Sequence, residues 1–440
     1  MKRTPYALIG FSLAVVKFLG DFLIVATSDQ AKRVWSPLDY LNTSNAVRFG
    51  VLHTGMAAAL LAWMLPFVVI GVICTVRRAL DAGWSPWWAL LFFVPYLNYL
   101  LMLTFCLWPS SDKYALTGPD FEPTERGESY PHRKSLGVLA GLAVCFAMIW
   151  ISIGTREIYS TSLFVGTPVA MGAIAGYVAS RKSVTSVLDM VGLCLMLNFF
   201  AGILIVAVKF DGAICVAMAF PFSFVLSLAG AFVGRAIASG GRAIRRSAAS
   251  ALLLLPVCGL AEPASLVGNT QHFVGTSIEV NAPPEKVWPH LSYFQPIDPP
   301  RDAMFRVGIA YPTGTHTALG GGVGAARYCG FSTGEVVERI TTWEINRRVA
   351  FDVISQPAPM VELSPYKDLD PPHLHGYVKS KTGEFRLVPL PNGHTRIEGT
   401  STYELHMAPE AYWSVWVDWS VHAIHRRVLT HIKEEVEAGK

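Results

Sequence analysis

Charge is what this 440-residue chain has least of: 15% of its residues are Asp, Glu, Lys or Arg, while 52% are hydrophobic. Ordinary soluble domains carry about 25% charged residues, so this composition is unusually apolar for a soluble protein. The net charge of +4 is small and dispersed, and basic and aromatic residues do not interleave, which sets nucleic acid aside as a partner. Cysteine is scarce wherever the chain is polar. Cys74, Cys106, Cys145, Cys194, Cys215 and Cys258 fall in apolar runs and Cys329 stands alone beyond them. Neither a disulfide framework nor a thiolate zinc site is therefore expected, and neither is any other metal or a cofactor.

Long apolar runs are what the chain has in plenty. A helix crossing a bilayer needs about 20 mostly apolar residues. Seven runs qualify, at about 6–27, 56–76, 86–108, 136–153, 163–179, 184–207 and 213–233. An eighth, Ala248 to Leu260, is short and interrupted by Pro256; it reads as a compact span, a re-entrant piece or the apolar core of an export signal. The expected architecture is a polytopic α-helical membrane region of seven or eight spans followed by an α+β domain. Residues 1–122 would hold three spans, 123–265 four or five, and 270–440 the last domain.

Few charges interrupt the runs. Lys17 and Asp21 are four residues apart, on one helix face where opposite charges neutralise each other; a structural pair outweighs an ion path, because no second acidic relay follows in register. Asp189, near the start of its run, reads as interfacial. Between the second and third runs the sequence is RRALDAGWSPWWALLFFVPYLNYLL, followed by Lys113, Tyr114 and then Gly118, Pro119 and Asp120. Through Arg77, Arg78, Asp81, Trp87, Trp88 and Pro95 this stretch resembles a small bacterial inner-membrane family, domain of unknown function 805; Leu80 stands where that family carries His. Arginines and tryptophans at a span end are expected to anchor it among lipid headgroups.

Basic residues are unevenly placed. With eight spans, the odd loops hold thirteen (Lys32, Arg33, Arg48, Lys113, Arg126, Arg133, Lys134, Arg181, Lys182, Arg235, Arg242, Arg245 and Arg246) and the amino terminus and even loops six. The positive-inside rule then predicts a multi-pass inner-membrane protein whose carboxy-terminal domain is extracytoplasmic. If the eighth run does not cross, that domain is cytoplasmic.

Beyond residue 270 the period changes. Val274, Thr276, Ile278 and Val280 alternate with Gly275, Ser277 and Glu279, as in a strand with one buried face; Pro283 and Pro284 then open a short helix carrying Val287, Trp288 and Leu291 on one side. Pro296 to Pro312 reads as a loop with a short helix. Gly320, Gly321, Gly322 and Gly324 read as a turn and not as a phosphate cradle, since no Lys-Ser/Thr follows. Strands are predicted at about 325–332, 335–343, 347–354, 377–388 and 395–407, and a long helix over 409–437 with Val417, Val421, Ile424, Val428 and Ile432 toward the sheet. The strand-to-helix opening, with GVGAARYCGFSTGEVVERI, PPHLHG and IHRRVLTHIKEEVE, resembles the SRPBCC superfamily, which includes START lipid-binding domains, the birch-pollen-allergen fold and polyketide-cyclase-like proteins. The resemblance implies a helix-grip fold, a curved antiparallel sheet closed by the last helix over a cavity.

Ile397, Gly399, Ser401, Tyr403 and Leu405 share one face of the last strand, and the small Gly399 and Ser401 leave room for a ligand. Arg327, Ile397, Gly399, Ser401, Tyr403 and Trp413 are the ligand-binding candidates. Trp413, Trp416 and Trp419 suit either closing a pocket or meeting a membrane interface. Asp418, His422 and His425 form a polar stripe on the last helix that suits either zinc binding or an Asp-oriented His as general base, and are the catalytic candidates, against a reading in which Asp and His simply bond each other on a half-exposed face. His373 and His375 flank a loop without a third metal ligand in sequence. Two function classes follow. One is membrane-anchored binding or presentation of a hydrophobic small molecule, lipid- or isoprenoid-like, with membrane lipids as further partners. The other is a cyclase- or hydrolase-like enzyme using the polar stripe; a membrane scaffold or regulator comes third.

Overall fold

The computed structural model describes residues 1–26, 54–84, 86–93, 97–111, 131–154, 159–181, 185–239, 271–292, 296–300, 302–317, 321–366 and 369–439. The chain divides into two compact units, a helical one and a carboxy-terminal one that takes in the residues from Val267 onward together with Asp211–Cys215.

In the helical unit, α1 (Arg3–Ala26), α2 (Thr54–Asp81), α3 (Leu97–Leu107), α4 (Pro131–Ile149), α5 (Thr167–Ser180), α6 (Val187–Ala207) and α7 (Ala213–Ala238) follow in order. Among the described residues five segments are long and apolar enough to cross a membrane: Arg3–Ile24, Arg133–Ile153, Ser162–Ser180, Val187–Ala207 and Ala213–Ala238. The expected seven or eight are not reached. The run at 86–108 is divided into a 3-10 helix, Pro86–Phe93, and α3, whose 11 residues rise only ~16 Å against a hydrocarbon core of ~30 Å. α2 keeps 28 residues but ends on Arg77, Arg78 and Asp81 and is not among the five. The eighth run, Ala248 to Leu260, lies outside the described residues.

Several charges of the helical unit are paired. Lys17 and Asp21 form an ion pair at 2.5 Å. Asp189 closes a capping box with Ser186 at the start of α6 and pairs with Lys134 at 2.6 Å. Arg78, expected at the headgroups, is fully buried instead. Its guanidinium pairs with Asp81 at 2.5 Å and donates to the carbonyls of Phe105, at 2.8 Å, and Trp108. Those carbonyls end α3 and have no partner within their own helix. Helices α5 and α7 meet through glycine. A Cβ added at Gly172 or Gly176 would overlap the backbone of Ser227 or Ala231, and one added at Gly230 or Gly234 the backbone of Val169 or Ala173. Reciprocal small-xxx-small pairs of this kind let two backbones touch where an apolar solvent supplies no hydrophobic drive.

The carboxy-terminal unit contains β1 (Gln271–Val280), α8 (Pro284–Ser292), α9 (Ala303–Val307), β2 (Pro312–Thr317), β3 (Ala326–Phe331), β4 (Gly334–Glu344), β5 (Arg348–Ser355), β6 (Val378–Pro389), β7 (Thr395–Leu405) and α10 (Glu410–Glu437). The seven strands form one sheet in the order β1-β7-β6-β5-β4-β3-β2, antiparallel throughout. Register shifts within the β2/β3, β4/β5 and β6/β7 pairs supply curvature. β2 was not expected; its Thr313, Thr315 and Thr317 alternate but carry no large apolar side chain. The carboxy-terminal half of α10 packs Val428, Leu429, Ile432 and Val436 onto Ile397, Leu387, Phe385 and Phe351 of the sheet and onto Val287, Trp288 and Leu291 of α8. Each such fully buried aliphatic side chain contributes about 1.5–3 kcal/mol. That packed half fixes the position of the polar half before it.

Candidate functional site

Pairing between β1 and β7 sets His272 opposite Tyr403, Val274 opposite Ser401 and Thr276 opposite Gly399. The amino-terminal half of α10 lies over these positions, and its polar stripe faces the sheet. Asp418 and His425 are both buried. They do not bond each other, as the half-exposed reading required. Asp418 Oδ1 accepts from the Tyr403 hydroxyl at 2.6 Å, and the Tyr403 ring stacks on His272 with centroids 4.9 Å apart. His272 Nε2 lies 2.6 Å from Glu410 Oε1, in the first turn of α10. Burial pushes the Asp418 carboxyl up to about 6, against the lowering effect of the Tyr403 bond and of His272. Burial likewise raises the Tyr403 phenol, and the Asp418 carboxylate raises it further.

Four and seven residues along the helix, at His422 and His425, a second chain of bonds begins. Ser401 Oγ lies 2.8 Å from His425 Nε2, Thr276 Oγ1 lies 3.2 Å from His425 Nδ1, and the same Thr276 oxygen lies 2.8 Å from His422 Nδ1. Thr276 has one proton to give. One self-consistent assignment has Ser401 donating to Nε2 of His425, whose Nδ1–H donates to Thr276, which donates to His422. That assignment needs a neutral His425, and burial, with His422 adding to it, lowers its pKa to about 4. A hydroxyl bonded to an imidazole whose far nitrogen is held by a third group is the arrangement that activates a nucleophile or moves a proton.

The remaining candidates are placed as follows. Ile397 is fully buried in the apolar core, and a Cβ added at Gly399 would make ordinary van der Waals contact with Phe385 at 3.4 Å and with Leu429 at 3.7 Å. Trp413 is buried at the start of α10, edge-on to Tyr412, whereas Trp419 is 44% exposed. Arg327 is buried on β3, ion-paired with its cross-strand partner Glu338, its guanidinium 4.8 Å above the Phe351 ring. His375 is exposed and bonds Asp370 at 2.6 Å, while His373 is buried beside Asp211, Cys215 and Glu362. A surface pocket of about 440 Å³ opens between the end of β5 and the start of β6, lined among others by Gln356, His375 and Lys381; none of the residues in the two bonded chains lines it. Sequence reasoning did not single out His272, Thr276 or Glu410. The available signal was that His272 and Thr276 are polar residues on the otherwise apolar inward face of β1.

Comparisons bear on this domain and on the amino-terminal segment separately. Residues 1–116 match the family described as protein of unknown function (DUF805). A search of curated proteins finds no match. Among solved structures, a protein from Nitrosospira multiformis is 20% identical, covering 38% of this chain and 99% of its own, with a TM-score of 0.25. Norcoclaurine synthase from Thalictrum flavum, in complex with dopamine and hydroxybenzaldehyde, is 13% identical over 40% of this chain and 91% of its own, with a TM-score of 0.27. The Zhui aromatase/cyclase of a Streptomyces species is 14% identical over 38% and 94%, with a TM-score of 0.26. Residues 271–437, the strands and last helix that carry both bonded chains, match the family described as polyketide cyclase / dehydrase and lipid transport, and so form a domain of the SRPBCC type.

Proposed function

We propose that the chain is a membrane-anchored module that binds a hydrophobic small molecule, lipid- or isoprenoid-like, in its carboxy-terminal domain and holds or presents it at the inner membrane. The observation that carries this reading is the joining, in one polypeptide, of a domain matching a family described by lipid transport to helices long and apolar enough to span a bilayer. Apolar ligands are concentrated in the membrane, so a tether shortens the path between their source and the domain. The inward polar groups of α10 and β7 supply the few oriented contacts that such a ligand needs for specificity. Native mass spectrometry of the full chain released from detergent tests this, with an apolar small molecule expected to remain bound. Its absence, together with no saturable uptake of an apolar fluorescent probe, would count against the binding module.

The Ser401–His425–Thr276–His422 chain favours a second reading, in which the bound molecule is cyclised or hydrolysed. The same preparation separates the two. Ser401→Ala and His425→Gln are expected to leave a binding module able to hold its ligand, whereas an enzyme would lose about 10²–10⁴-fold in turnover while still binding.

A further inference from the structure

A separate cluster lies in the carboxy-terminal unit, where Asp211–Cys215 meets the loop segment between β5 and β6. Glu362 shapes it. Its Oε2 accepts from the backbone N–H of Ile214 at 3.2 Å, in the first turn of α7, and the neighbouring Ala213 N–H donates to Leu363 O at 2.9 Å. Two of the otherwise unpaired donors of that helix start are thereby satisfied from a segment about 150 residues away. Gly212 makes the approach possible, since a Cβ there would overlap the Glu362 carboxylate.

The other oxygen, Glu362 Oε1, is buried and makes no aligned hydrogen bond, although His373 Nε2 is only 3.4 Å away. Cys215 Sγ lies 3.2 Å from the same ring nitrogen. On the opposite side of the ring, Asp211 Oδ2 lies 3.6 Å from Nδ1, and Asp211 is held by the Gly212 N–H at 2.7 Å. One donor atom from each of the four residues falls within 4.8 Å of every other, and all four residues are buried. Two carboxylates and a thiol are thus set around one imidazole in a buried cluster.

We propose that Cys215, Glu362 and His373 bind one divalent cation of the zinc class, with Asp211 orienting the His373 ring. Tetrahedral bonds of ~2.0 Å to nitrogen or oxygen and ~2.3 Å to sulfur place ligand atoms ~3.3–3.6 Å apart, close to the 3.2 and 3.4 Å found around Nε2. Borderline-soft zinc suits a mixed sulfur, nitrogen and oxygen set. A carboxylate on the far nitrogen fixes the tautomer in which Nε2 presents its lone pair to the metal, which is the role the geometry gives Asp211. On binding, the Cys215 thiol gives up its proton to solvent and the sulfur coordinates as thiolate. The three ligands leave a fourth position, open to a further donor.

The test uses the full-length protein in detergent, stripped with a chelator and titrated with zinc alone against a chromophoric competitor, and with cobalt as a spectroscopic substitute. One equivalent is expected to bind, with a thiolate-to-cobalt charge-transfer band. Cys215→Ser should abolish that band, and Glu362→Gln and His373→Asn should weaken zinc binding by more than the ~10–100-fold expected of Asp211→Asn. His375→Ala, two residues away and exposed, should change nothing. The unsubstituted protein alone can refute the site, whatever becomes of the variants: no tight equivalent, or cobalt bound without the charge-transfer band, overturns it. So does zinc affinity unchanged in a folded Cys215→Ser, His373→Asn double variant.

Discussion

Acid should affect the carboxy-terminal domain through two groups that oppose each other. Asp418 titrates near 3.8 in an unfolded chain and at about 6 when buried against Tyr403. The folded state holds that proton more tightly, so the cost of burying the carboxylate, fully felt above about pH 6, disappears as the pH falls toward 3.8. His425 goes the other way: its ordinary 6.5 drops to about 4 in the folded domain. The folded state resists that proton, so the stability belonging to neutral His425 is whole above pH 6.5 and is lost as the pH falls through about 4. Each pH unit between folded and unfolded values is worth about 1.4 kcal/mol, which makes either effect ~3 kcal/mol. Between about pH 4 and pH 6 the two nearly cancel. Replacing one exposes the other. Asp418→Asn should make the domain progressively less stable on acidification, and His425→Gln should make it progressively more stable, by up to ~3 kcal/mol each relative to the parent. The assay is the urea concentration at which amides of 395–405 and 410–437 lose hydrogen-exchange protection in the full-length protein, after equilibration across that pH interval and labelling at one common pH. If both variants keep the parent's pH slope, the buried protonation states assigned to Asp418 and His425 are wrong.

Gly234→Leu should destabilise the α5–α7 crossing, because any side chain there enters the Ala173 backbone; overpacking typically costs ~1–3 kcal/mol. Thermal unfolding in detergent should shift down, while Gly192→Leu on α6, where a Cβ meets nothing within 4 Å, should leave it in place. The thirteen-to-six placement of basic residues predicts an extracytoplasmic carboxy terminus, so alkaline phosphatase fused after Lys440 should be active. An inactive phosphatase fusion beside a fluorescent green fluorescent protein fusion would place the domain in the cytoplasm.

Strand alternation is legible in this sequence because burial repeats every second residue: Val274, Thr276 and Val280, or Ile397, Tyr403 and Leu405, name their inward faces without help. The phase of α10 is harder to read. Val417, Val421 and Ile424 look like the buried line, yet the residues turned most fully inward are Asp418, His425, Leu429, Ile432 and Val436, and the three aliphatics end half-buried. A hydropathy pattern ranks Asp and His as exposed. Only the fold brings up the partners that make their burial tolerable, Tyr403 and Ser401, 15 and 24 residues away. Distance along the chain hides Cys215 in the same manner, since it belongs by composition to an apolar run and by contact to His373, 158 residues later. At 86–108 the described residues form two helices of different pitch, a 3-10 helix and the short α3, which an apolar run alone does not distinguish from one span.

Arg78 bears on how the amino-terminal segment is made. A segment with the length of α3, roughly half a hydrocarbon core, is a poor candidate for partitioning into lipid on its own as it leaves the ribosome. Its terminal carbonyls find their donors on a side chain synthesised about thirty residues earlier, at the end of α2. Arg78 thereby ties the end of α2 to the end of α3 through a guanidinium that is itself buried. A lysine at position 78 would carry the same charge but not the forked donors that reach Asp81 and two carbonyls together, so its first effect would be to loosen the junction between the ends of α2 and α3.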